Sequence, residues 1–179
     1  MDRKIIHVVG TGTIGEPLIG LLCDFQDQLG IDEITFHKNS ALNSDHSKVV
    51  GLIKRGGRLC VDSNKVDDFK ALDLDPDFDT EEAIKRATVV IDCTPRGIGH
   101  KNKEKYYHKF MKNCKGFLAQ GSESGFGKKY ARRINDATLN SDDQFIQIVS
   151  CNTHNLCCIT QTLALDGDHD NLEEGRFVS

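Results

Sequence analysis

Two short runs in this chain hold residue types that do chemistry. In the first, Gly10-Thr11-Gly12-Thr13-Ile14-Gly15 follows directly on the apolar stretch Ile5-Ile6-His7-Val8-Val9. Glycines at this spacing, between a buried strand and a helix, make a seat for a pyrophosphate. The first allows a tight turn, the second lets backbone N–H groups approach the phosphates, and the third lets the helix pack close to the strand. The segment behind the run fits a helix, with Pro17 suited to its first turn and apolar residues at Leu18, Leu21, Leu22 and Phe25. In the second run, Ser150-Cys151-Asn152-Thr153 ends a buried strand and opens a segment with apolar residues at Leu156, Ile159 and Leu163. A thiol at a helix N-terminus is activated by the helix dipole and by backbone N–H groups, so Cys151 is the candidate nucleophile. His154, three residues on, is close enough to act as its base, although a surface or capping role is the commoner use of such a histidine. Cys157 and Cys158 fall inside the same helix and are expected to be buried packing residues.

The end of the second strand bears on which nucleotide the glycine turn would hold. An acid about 20 residues after the glycines ordinarily binds the adenosine ribose of NAD. Here that place reads Phe36-His37-Lys38-Asn39-Ser40. His37 and Lys38 suit a 2′-phosphate, which favours NADP or dual use over strict NAD.

Other patterns fail on spacing. Gly121 to Lys129 approaches a P-loop, but a glycine is misplaced and Lys129 stands where Ser or Thr must bind magnesium. Asp166 to Asn171 opens like a calcium loop, with Asn171 in place of the glycine and Phe177 in place of the bidentate Glu. Cys151, His154, Cys157 and Cys158 have no zinc spacing, so no metal site is expected.

Stepping through the chain, strands are expected at Ile5–Val9, Asp32–His37, Arg58–Val61, Val89–Cys93, Phe117–Ala119 and Phe145–Val149. Helices are expected behind the glycine turn, over Ser44–Lys54, after an N-cap at Thr80, over about Lys101–Asn113 and after Cys151. The acidic stretch Asp73–Asp79 reads as a loop. Strand and helix alternate, which is the pattern of a doubly wound, mostly parallel α/β sheet of the Rossmann type, with ligands at the carboxyl ends of its strands.

The chain has 179 residues and a net charge of −4, enough for a real core and unsuited to nucleic acid as the main partner. The basic cluster from Arg96 to Lys115, interleaved with Tyr106, Tyr107 and Phe110, reads as a solvated amphipathic helix. No apolar span reaches membrane length and no signal-peptide core is present, so the expected location is cytosolic. Seven cysteines, an odd count in such a chain, are expected as free thiols, most of them in the core.

Taken in order, the glycine run, Asp92-Cys93-Thr94-Pro95-Arg96-Gly97-Ile98-Gly99, Ala119-Gln120-Gly121 and Val149-Ser150-Cys151-Asn152-Thr153 resemble the archaeal-type (type II) glyceraldehyde-3-phosphate dehydrogenases. The resemblance implies NAD(P)-dependent, phosphorylating oxidation of a phosphorylated aldehyde through a thioester on Cys151. It also implies that Thr13, Ile14, Thr94, Pro95 and Gly121 contact the cofactor and that Ser150, Asn152 and Thr153 contact substrate with Cys151. His154 and Asn155 depart from the family's usual Thr and Gly. By the same resemblance, residues 1–150 are the NAD(P)-binding domain. Residues 151–179 carry the cysteine helix and only the start of a C-terminal catalytic domain, with Gly175–Ser179 opening its first strand. A short chain of this kind is expected to bind cofactor better than it catalyses, and to associate as a homo-oligomer or with a complementary half. The competing reading is a non-catalytic nucleotide-binding or thiol-sensing module.

Overall fold

Runs of Val, Ile, Leu and Phe too short for helices and bounded by Gly, Asp or Thr become strands buried on both faces, and the helices between them return the chain so that every strand points the same way. The computed structural model describes residues 3–165 and 172–177. In chain order these form β1 (Ile5–Val9), α1 (Gly15–Asp24), α2 (Gln26–Leu29), β2 (Glu33–His37), α3 (His46–Lys54), β3 (Arg58–Val61), α4 (Val66–Lys70), β4 (Phe78–Asp79) and α5 (Thr80–Arg86). There follow β5 (Val89–Asp92), α6 (Ile98–Asn102), α7 (His108–Phe110), β6 (Gly116–Ala119), β7 (Lys128–Tyr130), β8 (Phe145–Ile148) and α8 (Cys151–Ile159).

The eight strands make one parallel sheet in the order β4-β3-β2-β1-β5-β6-β8-β7. The chain winds outward from β1 to β4 on one side, then returns to β5 beside β1 and winds outward on the other. β1 and β5 thus flank the point where the winding reverses, with Val9 opposite Asp92 and, on its other side, opposite His37. Ligand crevices in open α/β sheets form at the carboxyl ends of such strands.

Two apolar layers hold the sheet. Val8, Ile34, Phe36, Leu59 and Val61 meet Ile19, Val49, Leu52 and Phe69 from α1, α3 and α4. Val9, Val90, Phe117 and Ala119 meet Ile84, Tyr107 and Phe126. Tyr107 stacks on Phe117 at 5.0 Å between centroids, and Phe117 on Phe145 at 5.1 Å. Cys23, Cys60, Cys93 and Cys114 are small core residues, and all seven cysteines are free.

Several expectations shift. The loop Asp73–Asp79 ends in the two-residue strand β4, paired to Cys60 and Val61. Asp79, not Thr80, caps α5, its carboxylate accepting from the Glu82 N–H at 2.9 Å, because the Thr80 hydroxyl is turned inward to Asp62 at 2.6 Å. The helix expected from about Lys101 begins at Ile98 and is broken by a π turn over Lys103–Tyr107. Gly175–Phe177 carry no strand and are not part of the sheet. The Asp166–Asn171 stretch lies outside the described residues.

His7, in the middle of β1, is wholly buried, with Nδ1 against Thr35 Oγ1 at 2.7 Å and Nε2 without a partner. Burial, with a smaller effect of neighbouring His37, pushes its imidazole down to about 3. Between pH ~6.5 and ~3 the unfolded chain therefore holds a proton here that the folded chain refuses. Stability should fall as pH drops through that window, by up to about 1.4 kcal/mol per pH unit from this group. Urea midpoints measured from pH 7 to 4 in the wild type and in His7→Leu check this: the variant should show the shallower decline, and an equal slope would rule out His7 as the source.

Candidate active site

The turn after β1 separates the three glycine roles. Gly10 has φ +96°, a left-handed conformation that glycine adopts freely. A Cβ at Gly15 would stand 2.0 Å from the Gly10 carbonyl oxygen, so only glycine lets α1 come this close. A Cβ at Gly12 would meet nothing within 4 Å, which leaves its backbone open to a ligand. α1 starts at Gly15 with no side-chain cap, and its N-cap residue Ile14 lines the crevice.

That crevice is a cleft of about 960 Å3. Gly10, Gly12, Thr13 and Ile14 line one wall, His37 and Lys38 the end of β2, and Thr94 and Pro95 the loop after β5. Eight of the residues expected at a nucleotide site therefore share one cavity, with Gly15 buried directly beneath the turn.

Sequence reasoning missed the partners of the basic pair. Lys38 Nζ bonds Asp45 Oδ2 at 2.6 Å, and Lys48, one helical turn beyond Asp45, is paired with Glu16 at 3.2 Å. His37 Nε2 is buried without a hydrogen-bond partner and stands 3.5 Å from Asp62 Oδ1. The imidazole and the Thr80 hydroxyl together hold the Asp62 carboxyl well below the usual carboxylate range, and the Lys38 hydrogen bond lowers Asp45. Asp62, the first residue after β3, thus brings a carboxylate to the cleft wall beside His37. Its place at a strand's carboxyl end was the available signal.

The loop after β5 is fixed by Asp92. This buried carboxylate accepts from the Thr94 N–H at 2.9 Å, from the Thr94 hydroxyl, from Asn102 Nδ2 at 2.9 Å and from the Tyr107 hydroxyl at 2.5 Å. Asn102 and Tyr107 are five residues apart, a spacing that faces one direction in a π turn and two in an α-helix. The π turn is what lets both reach one oxygen. Burial, reinforced by Asp92, pushes the Tyr107 phenol well above its ordinary value. Lys101, Lys105, Tyr106 and Tyr107 of the same stretch line the cleft, and Tyr107 is also wholly buried in the core. The basic cluster thus serves the cleft wall and the core as well as the solvent.

Cys151 and its neighbours lie outside the residues that line this cleft. Cys151 is the first residue of α8 and is exposed, its Sγ 4.0 Å from Asn152 Oδ1. Ser150 caps the helix: its hydroxyl accepts from the Thr153 N–H at 3.2 Å and sits 2.8 Å from the Thr153 hydroxyl. His154 Nε2 donates to the Arg132 carbonyl at 3.0 Å, which ties the first turn of α8 to the loop after β7. Gly121 is also absent from the cleft lining; a Cβ on it would stand 2.3 Å from the Ser150 nitrogen, so it packs against the cap of the thiol helix. The expectation that Cys157 and Cys158 are buried is overturned. Cys158 is exposed and Cys157 half-buried, because among the described residues little covers the end of α8, where Ile159 is 45% exposed, or the segment that follows it, where Leu163 is 79% exposed.

Burial pushes Cys60 and Cys93 up to about 12 and Cys114 up to about 11, which leaves those thiols protonated at neutral pH. Among the described residues no cluster of His, Cys, Asp and Glu could hold a metal ion, and no helix is long and apolar enough to cross a membrane.

No protein-family model matches the chain. Individual proteins do. A glyceraldehyde-3-phosphate dehydrogenase of Pyrobaculum arsenaticum is 29% identical over 168 residues, covering 90% of this chain and 44% of the relative. Glyceraldehyde-3-phosphate dehydrogenase 1 of Methanosarcina acetivorans is 32% identical over 163 residues, and the enzyme of Methanopyrus kandleri 31% over 165; each alignment covers 88% of this chain and 44% of the relative. The chain therefore spans about half the length of the curated relatives it matches, and it is a distant relative of the archaeal-type glyceraldehyde-3-phosphate dehydrogenases.

Proposed function

We propose that this chain is the nicotinamide-nucleotide-binding part of a phosphorylating glyceraldehyde-3-phosphate dehydrogenase, with Cys151 as its nucleophile. One observation carries the reading: the cleft at the β1/β5 reversal, where the Gly12 backbone lies open and the His37–Lys38 pair closes the end of β2. The likeness to the dehydrogenases supports it. Residues 1–150 form the NAD(P)-binding unit in this reading, and residues 151–179 the cysteine helix and the entry to the catalytic part. The cofactor is NADP or NAD, with NADP favoured. Lys38 and Lys48 stand about Asp45, and a 2′-phosphate arriving there would exchange a carboxylate partner for a more highly charged anion. The site of action is the cytoplasm, where the thiols remain reduced, and the chain acts as a homo-oligomer or beside a complementary half.

The Cys151 sulfur adds to the carbonyl carbon of a phosphorylated aldehyde as the C=O double bond becomes single and its oxygen takes a proton, giving a thiohemiacetal, with Ser150, Asn152 and Thr153 about the substrate. When bound, the nucleotide would supply the hydride acceptor; loss of a hydride from carbon and of the hydroxyl proton leaves the acyl group on Cys151 as a thioester. Inorganic phosphate then displaces the Cys151 thiolate and leaves as the acyl phosphate. Incubation with glyceraldehyde 3-phosphate and oxidised nucleotide, with phosphate withheld, should add one acyl group to the peptide containing Cys151 and none in Cys151→Ser. Nucleotide binding without acylation would favour the non-catalytic reading instead.

A further inference from the structure

The Gly121–Gly127 turn between β6 and β7 is absent from the cleft wall, yet it carries a buried acid. Glu123 is 1% exposed, and its carboxylate oxygens accept from the backbone N–H groups of Gly97 and, at 3.2 Å, of His100. These amides open α6, which has no side-chain cap from its own segment. A carboxylate from a distant loop thus satisfies donors that the helix cannot satisfy itself. Glycine at position 99 makes the room, since a Cβ there would stand 3.0 Å from Glu123 Cγ. His100 strengthens the joint with Nε2 against the Ser124 carbonyl at 3.0 Å.

The far end of the same turn is fixed to the thiol helix. Gln147 of β8 donates to the Gly121 carbonyl at 3.2 Å and accepts from the Gly125 N–H at 3.1 Å. Gly121 packs on the Ser150 backbone, and Gln120 donates to the Thr94 carbonyl at 3.1 Å. The loop that lines the cleft and the turn that abuts Ser150 are therefore joined at two points, one of them a buried charge.

We propose that Glu123 is a positioning residue that holds the cleft-lining loop Thr94–Gly97 in register with the N-terminus of the Cys151 helix. The proposal stands on this network; only its second test rests on the cleft being a nucleotide site. Glu123→Gln keeps one acceptor oxygen but turns an amide N–H toward a backbone N–H that needs an acceptor. Hydrogen exchange should then quicken by about tenfold over residues 97–101 and 150–154, while β1 and β2 keep their protection. Gln147→Leu, which cuts the network at its other end, should give the same two-segment pattern, and it decides the matter if Glu123→Gln does not fold. Loosening confined to 97–101, or spread evenly through the sheet, would overturn the proposal. The second test is the ratio of Cys151 alkylation rates with and without saturating NADPH. It should differ from one by about threefold or more in the wild type and return to one in Glu123→Gln. Wild-type protein that binds no NADPH would remove the nucleotide reading alone, and the exchange pattern would still decide the role of Glu123.

Discussion

Gly12→Ala should fold as well as the wild type and bind nicotinamide nucleotide at least about tenfold more weakly, a loss of about 1.4 kcal/mol. The argument is spatial. A methyl group on Gly12 meets no protein atom within 4 Å, so stability should change by no more than about 0.5 kcal/mol. The same methyl group occupies the space through which the backbone approaches a pyrophosphate. Gly15→Ala is the opposite case. Its Cβ would stand 2.0 Å from the Gly10 carbonyl oxygen and 3.3 Å from Cys93 Cβ, so α1 must lift from the sheet, at a cost of about 1–3 kcal/mol or more. Thermal melts and nucleotide titrations on the two variants separate the roles: one loses binding with its fold intact, and the other loses stability first. If Gly12→Ala bound as tightly as the wild type, the turn would be structural only.

The second large effect concerns the thiols. Cys60, Cys93 and Cys114 are buried and pushed up to about 12, 12 and 11, so at pH 7 their thiolate fractions are on the order of one in 10^4 to 10^5. Cys151 and Cys158 are both exposed, at opposite ends of α8. Iodoacetamide should therefore label these two well before the buried thiols. Between them Cys151 should lead by about fivefold, the rate equivalent of about 1 kcal/mol from the helix field at its N-terminus. Peptide mapping over a time course reads both comparisons. Labelling of Cys158 as fast as Cys151 would remove the helix terminus as a source of reactivity.

Much of the architecture could be read from residue patterns because those patterns are local. The bounds of β1 and β3, Ile5–Val9 and Arg58–Val61, follow from neighbours in sequence. What escaped depends on distant partners. β4 is two residues long and exists only because β3 offers it an edge, and β7, with Lys128 and Lys129, lacks an apolar signal of its own. The π turn is set by the reach of Asn102 and Tyr107 to Asp92. At the candidate site the glycine run announced itself, since its function lies in its spacing. Asp62 and Asp45 did not, because their relevance comes from lying across the cleft from His37 and Lys38. Glu123 sat in a near-miss to a P-loop, and only the fold turns its side chain to the start of α6.

The most direct test is a parallel titration of the purified chain with NADPH and NADH, followed by nicotinamide fluorescence. The account predicts saturable binding of both, tighter for NADPH, with the NADPH advantage reduced in Lys38→Ala. Binding of neither nucleotide would contradict the assignment of the cleft and leave the likeness to the dehydrogenases as a matter of descent alone.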